Sequence, residues 1–306
     1  MDEERLMQEI HSRLGKLGYR SQATSAEHVT DLQEGIEGSN VRSLLDEEVY
    51  KEYLGSLSFK FPDALPSANS LIVIAVPQPQ VGLVFTFHGR PHEVIIPPTY
   101  MYDIDGSVEK ILSSTLQTAG YHVAKAALPL KLLAIRSGLG EYGRNNICYV
   151  PGMGSFCRLM AFYTDLPCPD EIWREPQMME RCQSCEACIH SCPTGAVNAD
   201  RFLVRAERCI TFHNERINKF PSWIDASWHN CLVGCLYCQM ACPENSAFLD
   251  WIEHEGTFSE EETNLILHST PRGRFPTETA EKLKRLDMLE YSNILGRNIR
   301  LLINNM

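Results

Sequence analysis

The chain has 306 residues, 44% hydrophobic and 22% charged, the balance of a globular protein with room for one large or two modest domains. Its formal net charge of −11 argues against a free-standing nucleic-acid binder, whose affinity rests on neutralising phosphates. No apolar run reaches membrane-spanning length, and the acidic opening Met1-Asp2-Glu3-Glu4-Arg5 is unlike a secretory leader, so a cytoplasmic protein without a membrane partner is expected.

Leu6, Ile10, Leu14 and Leu17 recur at helical spacing, and Gly18 follows as a C-cap. After a mixed, polar stretch, residues 70–77 read as a continuously apolar, buried strand. Residues 81–87 and 92–96 flank His88-Gly89-Arg90-Pro91, a hairpin signal. Asp105-Gly106-Ser107 opens a helix carrying Val108, Ile111, Leu112 and Leu116 on one face, closed by Gly120. A strand over 121–127, a short helix over 130–137, a glycine-rich segment over 138–143 and strands over 147–150 and 156–164 complete an α/β or α+β domain at 1–167. Pro167-Cys168-Pro169 leads into a cysteine-rich module ending at 247. From 248 on, the spacing predicts amphipathic helices, the first opened by Ser259-Glu260-Glu261-Glu262, with Leu283, Leu286, Leu289, Ile294, Ile299, Leu301 and Leu302 in the rest. This tail, 248–306, is expected to pack back on the first domain.

Twelve cysteines in such a chain point to metal or redox chemistry rather than a disulfide framework. Cys182-x2-Cys185-x2-Cys188-x3-Cys192-Pro193 is the bacterial ferredoxin pattern, in which three thiolates hold one [4Fe–4S] cube and the fourth serves a second. Cys235-x2-Cys238-x3-Cys242-Pro243 answers it, one ligand short. By this crossing rule Cys182, Cys185, Cys188 and Cys242 hold one cluster, and Cys192, Cys209, Cys235 and Cys238 the other. Cys231 rivals Cys209 for the last place. A zinc site would want paired C-x2-C units, for which the triple run is wasteful. Cys148, Cys157 and Cys168 are expected to pack as small apolar side chains, and His190 and His229 to stand beside the clusters without ligating them.

Gly138-Leu139-Gly140-Glu141-Tyr142-Gly143-Arg144-Asn145 precedes a strand, which argues against a dinucleotide fingerprint. The glycines read either as backbone packed on something flat and bulky or as a structural turn.

Together, this segment and the array ending Gly234-Cys235-x2-Cys238-Gln239-x2-Cys242-Pro243-x-Asn245 resemble the epoxyqueuosine reductases and, more distantly, the reductive dehalogenases. The resemblance implies a nitroreductase-like cobalamin-binding domain followed by a ferredoxin-like double [4Fe–4S] module at 168–247 and a short helical tail. It also implies that the clusters pass electrons from an external donor, such as a flavodoxin or ferredoxin, to cobalamin. On the same basis Gly138, Gly140, Tyr142, Gly143, Arg144 and Asn145 are expected at the cofactor.

Two departures stand out. The family's aspartate, the expected proton donor, falls in Val123-Ala124-Lys125-Ala126-Ala127-Leu128-Pro129, where alanine takes its place. The helical repeats that handle tRNA are not seen after the cluster module, and the acidic balance counts against tRNA as partner. Tyr102, Asp103 and Lys125, with Tyr100 and Lys131 close by, are the substitute acid candidates. The expected function is an iron–sulfur, cobalamin-dependent reductase acting on a small molecule. Its rivals are an electron-transfer or corrinoid-processing protein without its own organic substrate, and a genuine tRNA epoxyqueuosine reductase with a relocated acid.

Overall fold

A computed structural model describes residues 2–38, 45–168 and 171–304; Pro169 of the expected linker lies outside them. Among the described residues the strands run β1 Arg20–Ser25, β2 Ser70–Pro77, β3 Gln80–Phe87, β4 Arg90–Ile96, β5 Val123–Lys125, β6 Glu141–Tyr142, β7 Cys148–Tyr149, β8 Cys157–Thr164 and β9 Ile252–Phe258. The chain divides into two compact units, one of residues 1–77 and 104–185, the other of 78–103 and 186–306. These boundaries differ from the linear division at 167 and 247, because the β3–β4 hairpin leaves its neighbours in sequence and joins the C-terminal residues.

The first unit is built on a four-stranded sheet in the order β1-β2-β8-β5, antiparallel throughout. Strand residues alternate faces, so the unbroken apolar run of β2 supplies two cores at once. Leu71, Val73 and Ala75 join Ala161 and Tyr163 of β8 in a core with the helices Val29–Glu37 and Leu130–Arg136. Ile72, Ile74 and Val76 join Met160 and Phe162 in another, closed by the helices Glu3–Lys16 and Ile104–Gln117. Helices on both faces explain why β2 lacks polar alternation although the sheet is antiparallel. β1 and the helix Val29–Glu37 arise from the stretch that reads as mixed and polar. β1 pairs along an edge with only Ala23 and Thr24 fully buried, too few for a clear sequence signal.

The second unit has the sheet order β4-β3-β9. β3 and β4 form the expected hairpin, turning at His88 and Gly89 with φ of 50° and 70°, the positive pair of a tight two-residue connection. β9 runs parallel to β3, with a register shift between Gly82 and Leu83. This strand corrects the all-helical expectation for residues beyond 248: six of its seven residues lie outside the core, and only Phe258 is fully buried. The predicted tail helices then follow. Ser259 caps Glu260–Leu267 in a reciprocal capping box with Glu262, and Thr277–Arg285 and Ser292–Asn304 come after it. Their apolar faces cover Val81, Leu83, Phe85, Val94 and Ile96 of the hairpin.

Candidate iron–sulfur centre

In the second unit the cysteines sit at the ends of helices too short to be stable alone, four or five residues each. Cys209 is the N-cap residue of Ile210–Asn214, and Thr211 and Phe212 act to lower its thiol pKa against the effect of burial. Cys235 receives the Tyr237 N–H, while Cys238 lies within the helix Tyr237–Met240. Cys242 caps a turn begun by Pro243.

Cys192, Cys209, Cys235 and Cys238 are each half-buried, and they lie near enough to act on one another electrostatically. Burial first, and then the charge of the neighbouring thiolates, raises Cys209, and lifts Cys235 and Cys238 well above the ordinary thiol value. Cys192 and Cys209 act on both Cys235 and Cys238, Cys231 acts on Cys235, and Cys188 acts on Cys238. The upward shifts of Cys209, Cys235 and Cys238 favour neutral thiols; bound iron would supply the charge that favours thiolates. The rival Cys231 is fully buried, and burial pushes its thiol up while the Leu236 N–H lowers it. Among the described residues, no three His, Cys, Asp or Glu side chains close on a single ion.

Side-chain bonds to loop carbonyls hold the cage. Asn214 Nδ2 donates to Gly234 O at 2.9 Å and to Cys231 O at 3.4 Å. Asn214 O in turn accepts from Arg297 Nη2 at 2.9 Å and Asn298 Nδ2 at 3.0 Å, and Asn298 Nδ2 also reaches Leu232 O at 2.8 Å. Gly234, with φ of 67°, is glycine of necessity twice over, since a Cβ there would collide with the Tyr100 hydroxyl. That hydroxyl donates to Glu215; burial, then Glu215, holds its pKa well above the usual phenol range, which removes Tyr100 as a ready acid. Asn245, fully buried, donates to Gln239 O at 2.8 Å. Sequence reasoning picked out Gly234 and Asn245 only as motif letters. Asn214, Arg297 and Asn298 it missed, because a residue that bonds a distant carbonyl carries no local spacing signal.

Of the other expected ligand set, Cys182 and Cys185 close the first unit, and Cys188 and Cys242 belong to the second. Cys182 is fixed by the glycine-rich segment, which forms the β6–β7 hairpin. Tyr142 bridges to Met178, and Met179 N donates to Tyr142 O at 2.9 Å. Arg144 then donates to Cys182 O through Nε at 3.1 Å and Nη2 at 2.6 Å. A Cβ on Gly140 would lie 2.6 Å from Tyr149 O, and one on Gly143 would lie 2.5 Å from the Tyr149 ring. Asn145, buried, donates to the Tyr149 hydroxyl at 2.9 Å. Close packing within this unit's own hairpin thus accounts for Gly140 and Gly143, and Ile172 crowds Gly138, where φ is 80°. These contacts are those of a close-packed hairpin.

The acid candidates are divided between the units. Lys125 Nζ pairs with Asp105 Oδ2 at 2.6 Å, and Arg158 grips the same carboxylate at 2.5 and 2.7 Å. Burial alone would raise Asp105, but the bonds and charges of Arg158 and Lys125 outweigh it and hold the carboxyl below its ordinary range. Where the aspartate was expected, Ala126 N donates to Ala161 O and Ala127 O accepts from Ser58 N, both backbone ties without a carboxylate. In the second unit Asp103 is exposed. Tyr102 is 38% exposed, with its hydroxyl 3.4 Å from that of Tyr291. His190 is exposed beside Glu186. His229 is buried, with neither ring nitrogen partnered, and burial and then Arg297 lower its pKa to about 4. Cys148 and Cys157 are buried, and burial pushes the Cys148 thiol up to about 12.

Residues 181–245 match the 4Fe-4S double cluster binding domain. Over 116 residues the chain is 35% identical to an epoxyqueuosine reductase of Shewanella oneidensis, 38% of this chain and 28% of that one, so it spans little more than a quarter of that relative's length. The solved epoxyqueuosine reductase from Bacillus subtilis, with its catalytic aspartate loop swung out of the active site, superposes at a TM-score of 0.65. It covers 99% of this chain and 82% of its own at 21% identity. An epoxyqueuosine reductase solved with an epoxyqueuosine-modified tRNA-Tyr stem loop gives 0.64 at 20% identity, with the same coverage. Among the described residues no helix is long and apolar enough to cross a membrane. The chain therefore has the fold of the epoxyqueuosine reductases and carries a 4Fe-4S double cluster binding domain at 181–245.

Proposed function

We propose that the protein is an oxidoreductase resembling epoxyqueuosine reductase, in which two [4Fe–4S] clusters relay electrons from an external flavodoxin or ferredoxin to cobalamin. The observation that carries the reading is the match of residues 181–245 to the 4Fe-4S double cluster binding domain, supported by the electrostatic coupling of Cys192, Cys209, Cys235 and Cys238 within it. These four hold one cube; Cys182, Cys185, Cys188 and Cys242 hold the other. Cys209 is given the last ligand place over Cys231 because it acts on Cys235 and Cys238 and is itself acted on by Cys192, whereas Cys231 acts on Cys235. When bound, the cubes supply one-electron transfer, and this chain's loops keep eight thiolates in register for them. Arg144 and the β6–β7 hairpin position Cys182, and the Asn214–Asn298 network positions the Cys209 and Cys235 loops. Cobalamin enters on the resemblance and the shared fold; Gly138, Gly140, Tyr142, Gly143, Arg144 and Asn145 contribute to its site as a rigid hairpin.

With Lys125 committed to Asp105 and Tyr100 to Glu215, Tyr102 is the acid this reading assigns. Turnover of Tyr102→Phe at equal cluster content checks it. For the substrate, a small molecule is the first reading, supported by the alanine in place of the aspartate and the net charge of −11. A tRNA is the second, favoured by the stem-loop complex of a protein with the same fold; the expectation against tRNA is weakened accordingly. Anoxic reconstitution with iron, sulfide and cobalamin tests the frame. About eight irons per chain and a stoichiometric cob(II)alamin EPR signal are expected. Full iron without retained cobalamin would leave an electron-transfer protein, and turnover of an epoxyqueuosine-bearing stem loop would decide for tRNA.

A further inference from the structure

We propose that the surface around Arg208 and Trp223 in the second unit is the docking face for an acidic one-electron carrier protein. The proposal rests on the cluster-relay reading above and adds where, and to what chemistry, the relay opens.

In a chain with net charge −11, residues 201–219 hold Arg201, Arg205, Arg208, Arg216 and Lys219 against only Glu207 and Glu215. Glu215 is turned to the Tyr100 hydroxyl. Arg208 and Lys219 are exposed, as are Ile217 at 74% and Trp223 at 43%. Exposed apolar side chains of this size among cations mark an interaction surface, and Trp and Arg are the residues enriched in such patches. The patch is also ordered. The Arg208 guanidinium stands 5.9 Å from the Trp223 ring centre, the His213 ring meets Trp223 edge-on at 5.3 Å, and Arg216 lies 4.4 Å over Phe212. Arg297 pins the loop from beneath, donating to the carbonyls of His213, Asn214 and Asn218. A surface held in this way loses little freedom when a partner binds.

Its place in the chain selects the partner. Arg208 directly precedes Cys209, a ligand in the proposed relay. Electron transfer fades steeply with distance, so a carrier must dock over a ligand loop, and opposite charge speeds that encounter. Cations with aromatics also bind single-stranded nucleic acid, but nothing about a cluster ligand loop calls for RNA. In the step itself one electron leaves the carrier, which is oxidised by one equivalent, and reduces the cube by one; no bond or proton moves.

The test uses the full-length, iron-loaded protein and its Arg208→Glu, Trp223→Ser and Lys219→Glu variants. Each is mixed in stopped flow with a reduced plant-type [2Fe–2S] ferredoxin and, separately, with the methyl viologen radical cation, a small reductant that needs no docking face. Bleaching by ferredoxin should slow about 10-fold or more in Arg208→Glu and measurably in the other two, and the wild-type rate should fall as salt is raised. Iron content and viologen rates should match wild type. Equal ferredoxin rates in all four proteins, or a rate indifferent to salt, would overturn the proposal. So would variants that lose only the binding of a labelled RNA stem loop. If Arg208→Glu sheds iron because it adjoins Cys209, Lys219→Glu decides: without ferredoxin-specific slowing there, the face is wrong. A wild-type protein with no viologen-reducible cluster would instead sink the relay reading itself.

Discussion

The two units keep their shape by different means. In the first, one strand feeds two apolar cores, and almost every residue of β2 is buried. In the second, a hydrophobic layer under the β3–β4 hairpin adjoins cysteine loops whose backbone is held by Asn214, Asn298 and Arg297. The first kind of order needs nothing from outside the chain. The second gathers half-buried thiols that act on one another electrostatically, and bound iron would compensate their charge as thiolates. Metal loss should therefore be felt unequally.

The largest effect tests that inequality. Cys238→Ser, assayed for iron after anoxic reconstitution, should drop from about eight to about four atoms per chain, while the amides of β2 and β8 keep their hydrogen-exchange protection. Equal loss of protection in both units would break the comparison. Next, Ile74→Ala should cost about 2–5 kcal/mol by opening a cavity in the first unit, read as a shift in denaturant midpoint at unchanged iron content. Asp105→Asn should cost less than a fully buried pair because Lys125 is 55% exposed. It should also flatten the acid limb of stability. The folded carboxyl lies below its unfolded value, so its contribution is present above that unfolded value and disappears as the pH falls through the folded one. A variant as acid-sensitive as the wild type would show that the Arg158 pairing is not what sets the limb. The smallest effect sharpens the cage: Asn298→Ala should cost about 1–3 kcal/mol, with faster cluster loss to a chelator and an undisturbed first unit.

What could be read from the chain follows the reach of each signal. Cluster ligands sit at short, fixed spacings, and β2 declares itself by an unbroken apolar run. β9 was hidden because a polar edge strand, Ile252-Glu253-His254-Glu255-Gly256-Thr257-Phe258, looks like neither a helix face nor a buried strand. The glycines of 138–143 were visible as glycines, but their reason, the crowding of Tyr149 and Cys148, depends on a hairpin closing over them. Arg144 was noticed through a resemblance; its bond to the Cys182 carbonyl lies 38 residues away, beyond any local pattern.

The β3–β4 hairpin has a consequence for how the protein is made. It leaves the ribosome with Val81, Leu83 and Phe85 uncovered and one edge of β3 unpaired, and β9 follows only roughly 150 residues later. At ~5–20 residues per second this leaves an apolar strand edge open for ~8–30 s, the kind of surface that recruits other chains. Synthesis halted at residue 247 would leave it open for good, so residues 248–306 act as the hairpin's own chaperone, delivered late.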